Sequence, residues 1–141
     1  MIIHALLLFF GLAALSAQGA SMVDVINFKD KFTKFSDFWS PKILGQFDNY
    51  HIKAAKMKGE FIWHTHEDAD EAFMVIEGTL KICLRDRDVI LHPGECFIVP
   101  KGVEHKPVAE QEVHVLFIEK AGTLNTGDQA ESDKTAQEEW I

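Results

Sequence analysis

His64 and His66 stand two apart in the run FIWHTH. Side chains at i and i+2 of an extended chain point to the same face, so this spacing presents two imidazoles side by side. After a four-residue acidic turn, Glu71 opens the apolar run EAFMVI, and antiparallel pairing is able to bring its carboxylate back beside the histidines. A further histidine, His105, follows the tight turn Pro100-Lys101-Gly102. Three neutral imidazoles and one carboxylate suit one divalent transition metal, Fe, Mn, Ni, Co or Zn. Four protein donors on a larger coordination shell leave positions for water, dioxygen or a chelating small molecule.

Positioning these side chains requires strands. From Lys42 onward, runs rich in Val, Ile, Phe and Leu are separated by turn signals at Asp48-Asn49, Lys58-Gly59, Glu67 to Asp70, Glu77-Gly78, Asp86-Arg87, Pro93-Gly94 and Pro100-Lys101-Gly102. Such spacing predicts an all-β fold of about nine strands, the last at Val113–Glu119, closing into a small jelly-roll β-barrel. Upstream, Phe28, Phe32, Phe35 and Phe38 recur at helical spacing. They predict the buried face of a short N-terminal helix, ended by Pro41. Glu60 and Ile62 share the parity of His64 and are expected in the pocket with it. Phe73 and Val75 share the parity of Glu71, whereas Trp63 points outward. Ala72, Met74 and Ile76 leave an apolar exterior, which the phenylalanine helix covers in part and which predicts a homodimer. His51, His92 and His114 are expected to be exposed or locally bonded rather than ligands.

The chain has 141 residues, a single domain by length, and a formal charge of -8. An acidic chain without a basic stripe repels phosphate backbones, so no nucleic acid is expected as a partner. Cys83 and Cys96 lack a CxxC arrangement and read as buried free thiols, with a disulfide between them left open. Residues 1–21 hold an apolar run from Ala5 to Leu15, then the small residues Ala17, Gly19 and Ala20. This pattern fits a signal peptide and a secreted or periplasmic protein. It is too short for a stable membrane span. The alternative is an upstream extension, with Met22 as the start of a cytoplasmic protein. The organisation expected is therefore 1–21 as leader or extension, 22–128 as the domain, and 129–141 as a flexible acidic tail.

The glycines and ligands form two frames. The first is Gly59, His64-Thr65-His66, four residues, Glu71, six residues, Gly78. The second is Gly94, five residues, Pro100-Lys101-Gly102, two residues, His105. This pair resembles the two motifs of the cupin superfamily. The segments FSDFWSPKI, KGEFIWHTH and AGTLNTGD resemble compact bacterial single-domain cupins of the mannose-6-phosphate isomerase-like group. There are two departures from the pattern. The spacer from Gly59 to His64 is one residue short, and Ala109 stands where the second motif ends in Asn. Neither removes a ligand, but the second takes a polar side chain from the barrel and disfavours sugar-type hydrogen bonding. The resemblance implies a metal held by His64, His66, Glu71 and His105, and dioxygenase- or isomerase-type chemistry on a small molecule. Glu71 would also be the catalytic proton shuttle. The alternative it leaves is a non-catalytic cupin that binds a small ligand or the metal alone.

Overall fold

Alternating apolar residues build eight strands in a computed structural model of the chain, which describes residues 24–141. The segment 1–21, expected to be a leader or extension, lies outside the described residues. A short helix α1 (Phe28–Phe32) precedes β1 (Lys42–Phe47), β2 (Tyr50–Glu60), β3 (Glu71–Glu77), β4 (Leu80–Leu84), β5 (Asp88–Leu91), β6 (Cys96–Val99), β7 (His105–Lys120) and β8 (Glu139–Trp140). No helix among the described residues is long and apolar enough to cross a membrane.

The long β7 is the spine. It pairs antiparallel with β2 along most of its length, with β4 over its first residues and with β3 over its last. β6 extends β3, β5 extends β4, and β1 extends β2. The result is a jelly roll, but its hydrogen-bonded path does not close into a ring: β5, β6 and β8 each pair with a single neighbour. The strand expected at Val113–Glu119 is the second half of β7. Between Ala109 and Val113 the ladder slips, so that Glu110, Gln111 and Glu112 bulge toward solvent without ending the strand.

The inner faces enclose Ala55, Met57, Phe73, Val75, Leu80, Ile82, Val113, Val115 and Phe117. Each fully buried Val, Leu, Ile or Phe stabilises the fold by about 1.5–3 kcal/mol. Ala109 is fully buried in this cluster, so a methyl group fills the place where the motif has an amide. On the outer face, Phe32 packs with Leu44, Ala54 and Leu116, flanked by Phe28, Phe35 and Met74.

The phenylalanine stripe runs on past the end of the helix. Asn27 caps the first turn by accepting from Asp30 N–H, and Thr33 closes the last turn, its N–H and its hydroxyl both donating to the Asp30 carbonyl. That competition for a helical acceptor stops α1 after five residues. Phe35 lies beyond it, and Phe38 sits in a parallel bridge with Lys56, 40% exposed.

The segment 129–141, expected to be a flexible acidic end, lies on the domain. Glu139 and Trp140 run parallel to Lys42 and Ile43, and Ile141 N–H donates to the Ile43 carbonyl. Two buried lysines supply the reason: Lys42 pairs with Glu139 at 2.7 Å and Lys53 with Glu138 at 2.9 Å. Both cysteines are free, and Cys96 is exposed rather than buried because β6 turns it to the solvent side.

Candidate metal centre

His64, His66, Glu71 and His105 converge. Their donor atoms all lie within 4.8 Å of one another, and all four residues are buried. Glu71 is the first residue of β3 and His105 the first of β7, while both other histidines sit on the connection from β2 to β3. That connection is not a strand, so backbone bonds must hold it. His64 and His105 exchange both N–H···O=C bonds, at 3.1 and 3.0 Å. Gly102 N–H donates to the His66 carbonyl at 2.8 Å, and Lys101 N–H donates to Asp70 Oδ1 at 2.8 Å. The turn of the second motif is thereby stapled to the first. From the other side, Thr65 and Asp128 are joined by Thr65 N–H to Asp128 Oδ1 (2.8 Å) and Asp128 N–H to the Thr65 carbonyl (3.0 Å). Gly127 at φ 51° lets this approach happen, because a Cβ there would collide with the Thr65 carbonyl.

Because β2 ends at Glu60, strand parity fails before His64. Phe61, whose N–H donates to the Pro107 carbonyl, takes the inward place expected for Glu60 and Ile62. Glu60 is exposed and paired with Lys106 at 2.8 Å, and Ile62 is half-buried. Trp63 faces outward as expected, beneath the Arg85 guanidinium at 3.8 Å. Phe73 and Val75 point inward with Glu71.

The hydrogen bonds set the tautomers. His64 Nδ1–H donates to the Ile62 carbonyl at 3.0 Å, and His105 Nδ1–H donates to the Val103 carbonyl at 2.9 Å. In the neutral imidazole this leaves Nε2 of each ring as a lone pair. The Nε2 of His105 faces Glu71 Oε2 at 3.1 Å, and the buried, unpartnered Nε2 of His66 lies 3.3 Å from the same oxygen. Lone pairs converging on a carboxylate need a cation among them, whether a proton or a metal. Tying the far nitrogen to a carbonyl is also how metal-binding histidines are oriented. Burial and then the neighbouring His105 push the His64 pKa down to about 4, so this ring is neutral at neutral pH. Burial opposes charge on His66, but Glu71 outweighs it and raises the imidazole above its ordinary value. Burial likewise opposes ionisation of Glu71, yet the close approach of the His105 and His66 imidazoles holds it well below the usual carboxylate range. The donor set therefore fits a divalent cation.

The site extends beyond the four residues read from the sequence. At one level across β2, β7 and β3, the paired residues His51, Glu119 and Glu71 all point inward and are buried. His51 is thus buried rather than exposed, bonded to Gln46 at 3.3 Å and edge-on to Trp140. Glu119 is 2% exposed, and its Oε1 pairs with the equally buried Lys53 at 2.8 Å. Burial and then the Glu71 carboxylate push Glu119 up to about 7, against the pull of Lys53. The signal for Glu119 was present in its parity with Val113, Val115 and Phe117. His92 and His114 are no ligands: His92 is exposed, and His114 stacks on Phe32 and bonds Glu112. A cavity of about 20 Å³ touches His64, Glu71, Phe61, Phe73, Phe117 and Glu119. A larger one, about 390 Å³, opens on the far side of His66, between the acidic turn and Lys120 to Leu124.

Comparison with known proteins agrees with this geometry. The cupin domain family matches residues 51–119, which contain all four donor residues. A solved cupin-2 domain containing protein from Shewanella frigidimarina is 49% identical, over 68% of this chain and 94% of that one, with a TM-score of 0.67. The chain belongs to the cupin family. Uncharacterized protein YdbB of Bacillus subtilis is 32% identical over 55% of this chain and 64% of its own length. The acireductone dioxygenase of Leishmania major is 34% identical over 57% of this chain. The chain spans less than two thirds of either curated relative, and only 26% of the dioxygenase.

Proposed function

We propose that this cupin binds one divalent transition metal on His64, His66, Glu71 and His105 and acts on a small molecule by dioxygenase- or isomerase-type chemistry. The observation that carries the reading is the convergence of buried imidazole lone pairs on one carboxylate, which only a cation satisfies. The sequence similarity to an acireductone dioxygenase supports it. The metal would supply a Lewis acid and open positions for a chelating substrate or dioxygen. The chain's own contribution is to hold His64 and His105 by their Nδ1–H bonds, to keep Glu71 ionised, and to exclude bulk water. Glu71 would also take or return a proton at Oε2, a reading supported by the approach of both His66 and His105 to that oxygen. The test is metal analysis of the purified protein, then oxygen consumption and product formation with candidate chelating substrates. Less than about a tenth of an equivalent of any transition metal, at neutral pH where imidazoles are free to bind, overturns the metal reading.

One observation favours a second reading, in which the protein binds the metal or a very small ligand without turnover. The cavity beside the donors, about 20 Å³, holds little more than one water. Metal uptake with neither oxygen consumption nor product across a substrate panel would select it.

The outer face supports a homodimer as part of the same proposal. Ile98 and Ile76 are exposed there, next to the unpaired edge of β6, and an apolar face of this kind needs a cover. Light scattering should give twice the chain mass; a monomer at high concentration removes the dimer.

A further inference from the structure

Glu119 is a buried acid that the four-donor site does not explain. Its Oε1 is taken by Lys53, whose ammonium also meets Glu138 at 2.9 Å and the Thr123 carbonyl at 3.3 Å. Its Oε2 is buried and has no hydrogen-bond partner. The residue lines the same small cavity as His64 and Glu71, and its strand position is directly opposite Glu71 on β3. An orphan carboxylate oxygen in a protein interior destabilises the fold unless something donates to it. Every other polar side chain of the cavity is committed elsewhere. His64 and Glu71 belong to the metal set, and the Asn125 amide donates to the Trp39 and Lys134 carbonyls while its oxygen accepts from Ala136 N–H. For the ionised carboxylate, the missing donor must therefore be a guest in the cavity.

Resting on the metal reading above, we infer that Glu119 is a positioning residue for the exogenous ligand: its free Oε2 accepts a hydrogen bond from an O–H or N–H group of a small molecule in the cavity beside the metal donors. Lys53 is the clamp that aims it. The site thereby selects guests that carry a donor, such as water, a hydroxyl or an amine, and rejects acceptor-only anions of the same size.

The substitution Glu119→Gln inverts this selection. Lys53 has donors only, so it keeps the amide oxygen of the variant, and the amide nitrogen turns toward the cavity. The experiment uses the full chain loaded with Co(II), well above neutral pH so that the Glu119 carboxyl is ionised; the visible absorption of Co(II) reports ligands entering the metal's coordination shell. Two probes are titrated in: azide, an acceptor-only anion, and hydroxylamine, a neutral donor. Relative to the unmutated protein, Glu119→Gln should bind azide about tenfold more tightly and hydroxylamine about tenfold more weakly, as expected for a hydrogen bond to a charged group. Cobalt content should stay the same. The double substitution Lys53→Met with Glu119→Met removes both buried charges together, guards against a folding defect, and should shift both probes in the same directions by less. Azide and hydroxylamine moving together overturns the inference. So does tighter azide binding with hydroxylamine unchanged, because charge alone then accounts for the effect. Failure of the unmutated chain to take up cobalt overturns the metal reading and this inference with it. Normal cobalt uptake with both probes indifferent to Glu119 overturns this inference alone.

Discussion

At the residue scale, two carbonyl contacts decide what the site can bind. The Ile62 and Val103 carbonyls take the Nδ1 protons of His64 and His105, so the Nε2 lone pairs face inward without any rearrangement. Substituting His105 by Ala removes a donor and also the ring that braces Glu71. Metal affinity should fall at least about tenfold, since even the outer partners of a ligating histidine are worth about 10–100-fold; a metal-competition titration with elemental analysis measures it. The histidines also make the metal-free protein sensitive to acid. The folded pKa of His64 is about 4 against an ordinary 6.5, so below 6.5 the unfolded chain takes up the proton first. Stability tied to His64 is therefore complete above about pH 6.5 and is lost as the pH falls toward 4, by about 3 kcal/mol at most. His66 acts in the opposite sense. Its value is raised, so its contribution is present in acid and is lost as the pH rises through the folded value. Comparing metal-free wild type with His64→Gln cancels the His66 part. Urea midpoints should move in favour of the variant between about pH 6.5 and 4, and parallel profiles would refute the assignment.

At the element scale, the HxH segment is not a strand and depends on neighbours for its shape. Three backbone bonds come from the His105 strand and its turn, and two more bonds come from Asp128. Gly127 is the tightest point, with a positive φ and no room for a Cβ against the Thr65 carbonyl. Gly127→Ala should destabilise the protein by about 1–3 kcal/mol through backbone strain. It should also weaken metal binding, because Thr65 lies between the two histidines. Denaturant melts and metal titration on the same sample test both halves; a metal affinity unchanged by the substitution would show that the 127–128 contact does not position the ligands. Element boundaries were less legible than element types. The phenylalanine spacing is helical, yet Thr33 ends the helix early and Phe38 is drawn into a bridge. The period cannot report that competition, since it depends on hydrogen bonds local to one turn and on the sheet beneath it.

At the scale of the whole molecule, the site joins the β2–β3 connection to the first residues of β3 and β7. A bound metal therefore cross-links segments that are distant in sequence and favours the folded state by mass action. Chelator treatment should lower the melting temperature by several degrees, on the scale of about 2–4 °C per kcal/mol for a domain near 150 residues. A melt that does not move after verified metal loss would remove the structural role and leave the chemical one.

What the sequence determined by itself was chemistry and local geometry. The spacing of His64 and His66 offers two imidazoles on one face and alternation names the strands, because both depend on neighbours along the chain; Glu71 and His105 join them as candidate donors through the resemblance of the two glycine frames to the cupin motifs. What only the tertiary structure decided was which atoms face one another. Glu119 and His51 read locally as an ordinary acid and an ordinary base near strand ends. They become interior residues because β7 runs between β2 and β3 in a register that puts both at the level of Glu71. Phe61 displaces Ile62 from the cavity because β2 stops at Glu60, and that end is set by the bond to Pro107 on another strand. The residues 129–141 have a solvated composition, yet Glu139 and Trp140 run beside β1 and Glu138 reaches Lys53 on β2, because Lys42 and Lys53 are buried and need carboxylates. Long-range partners of this kind are set by how the sheets pack, and no window of sequence contains both halves of the pair.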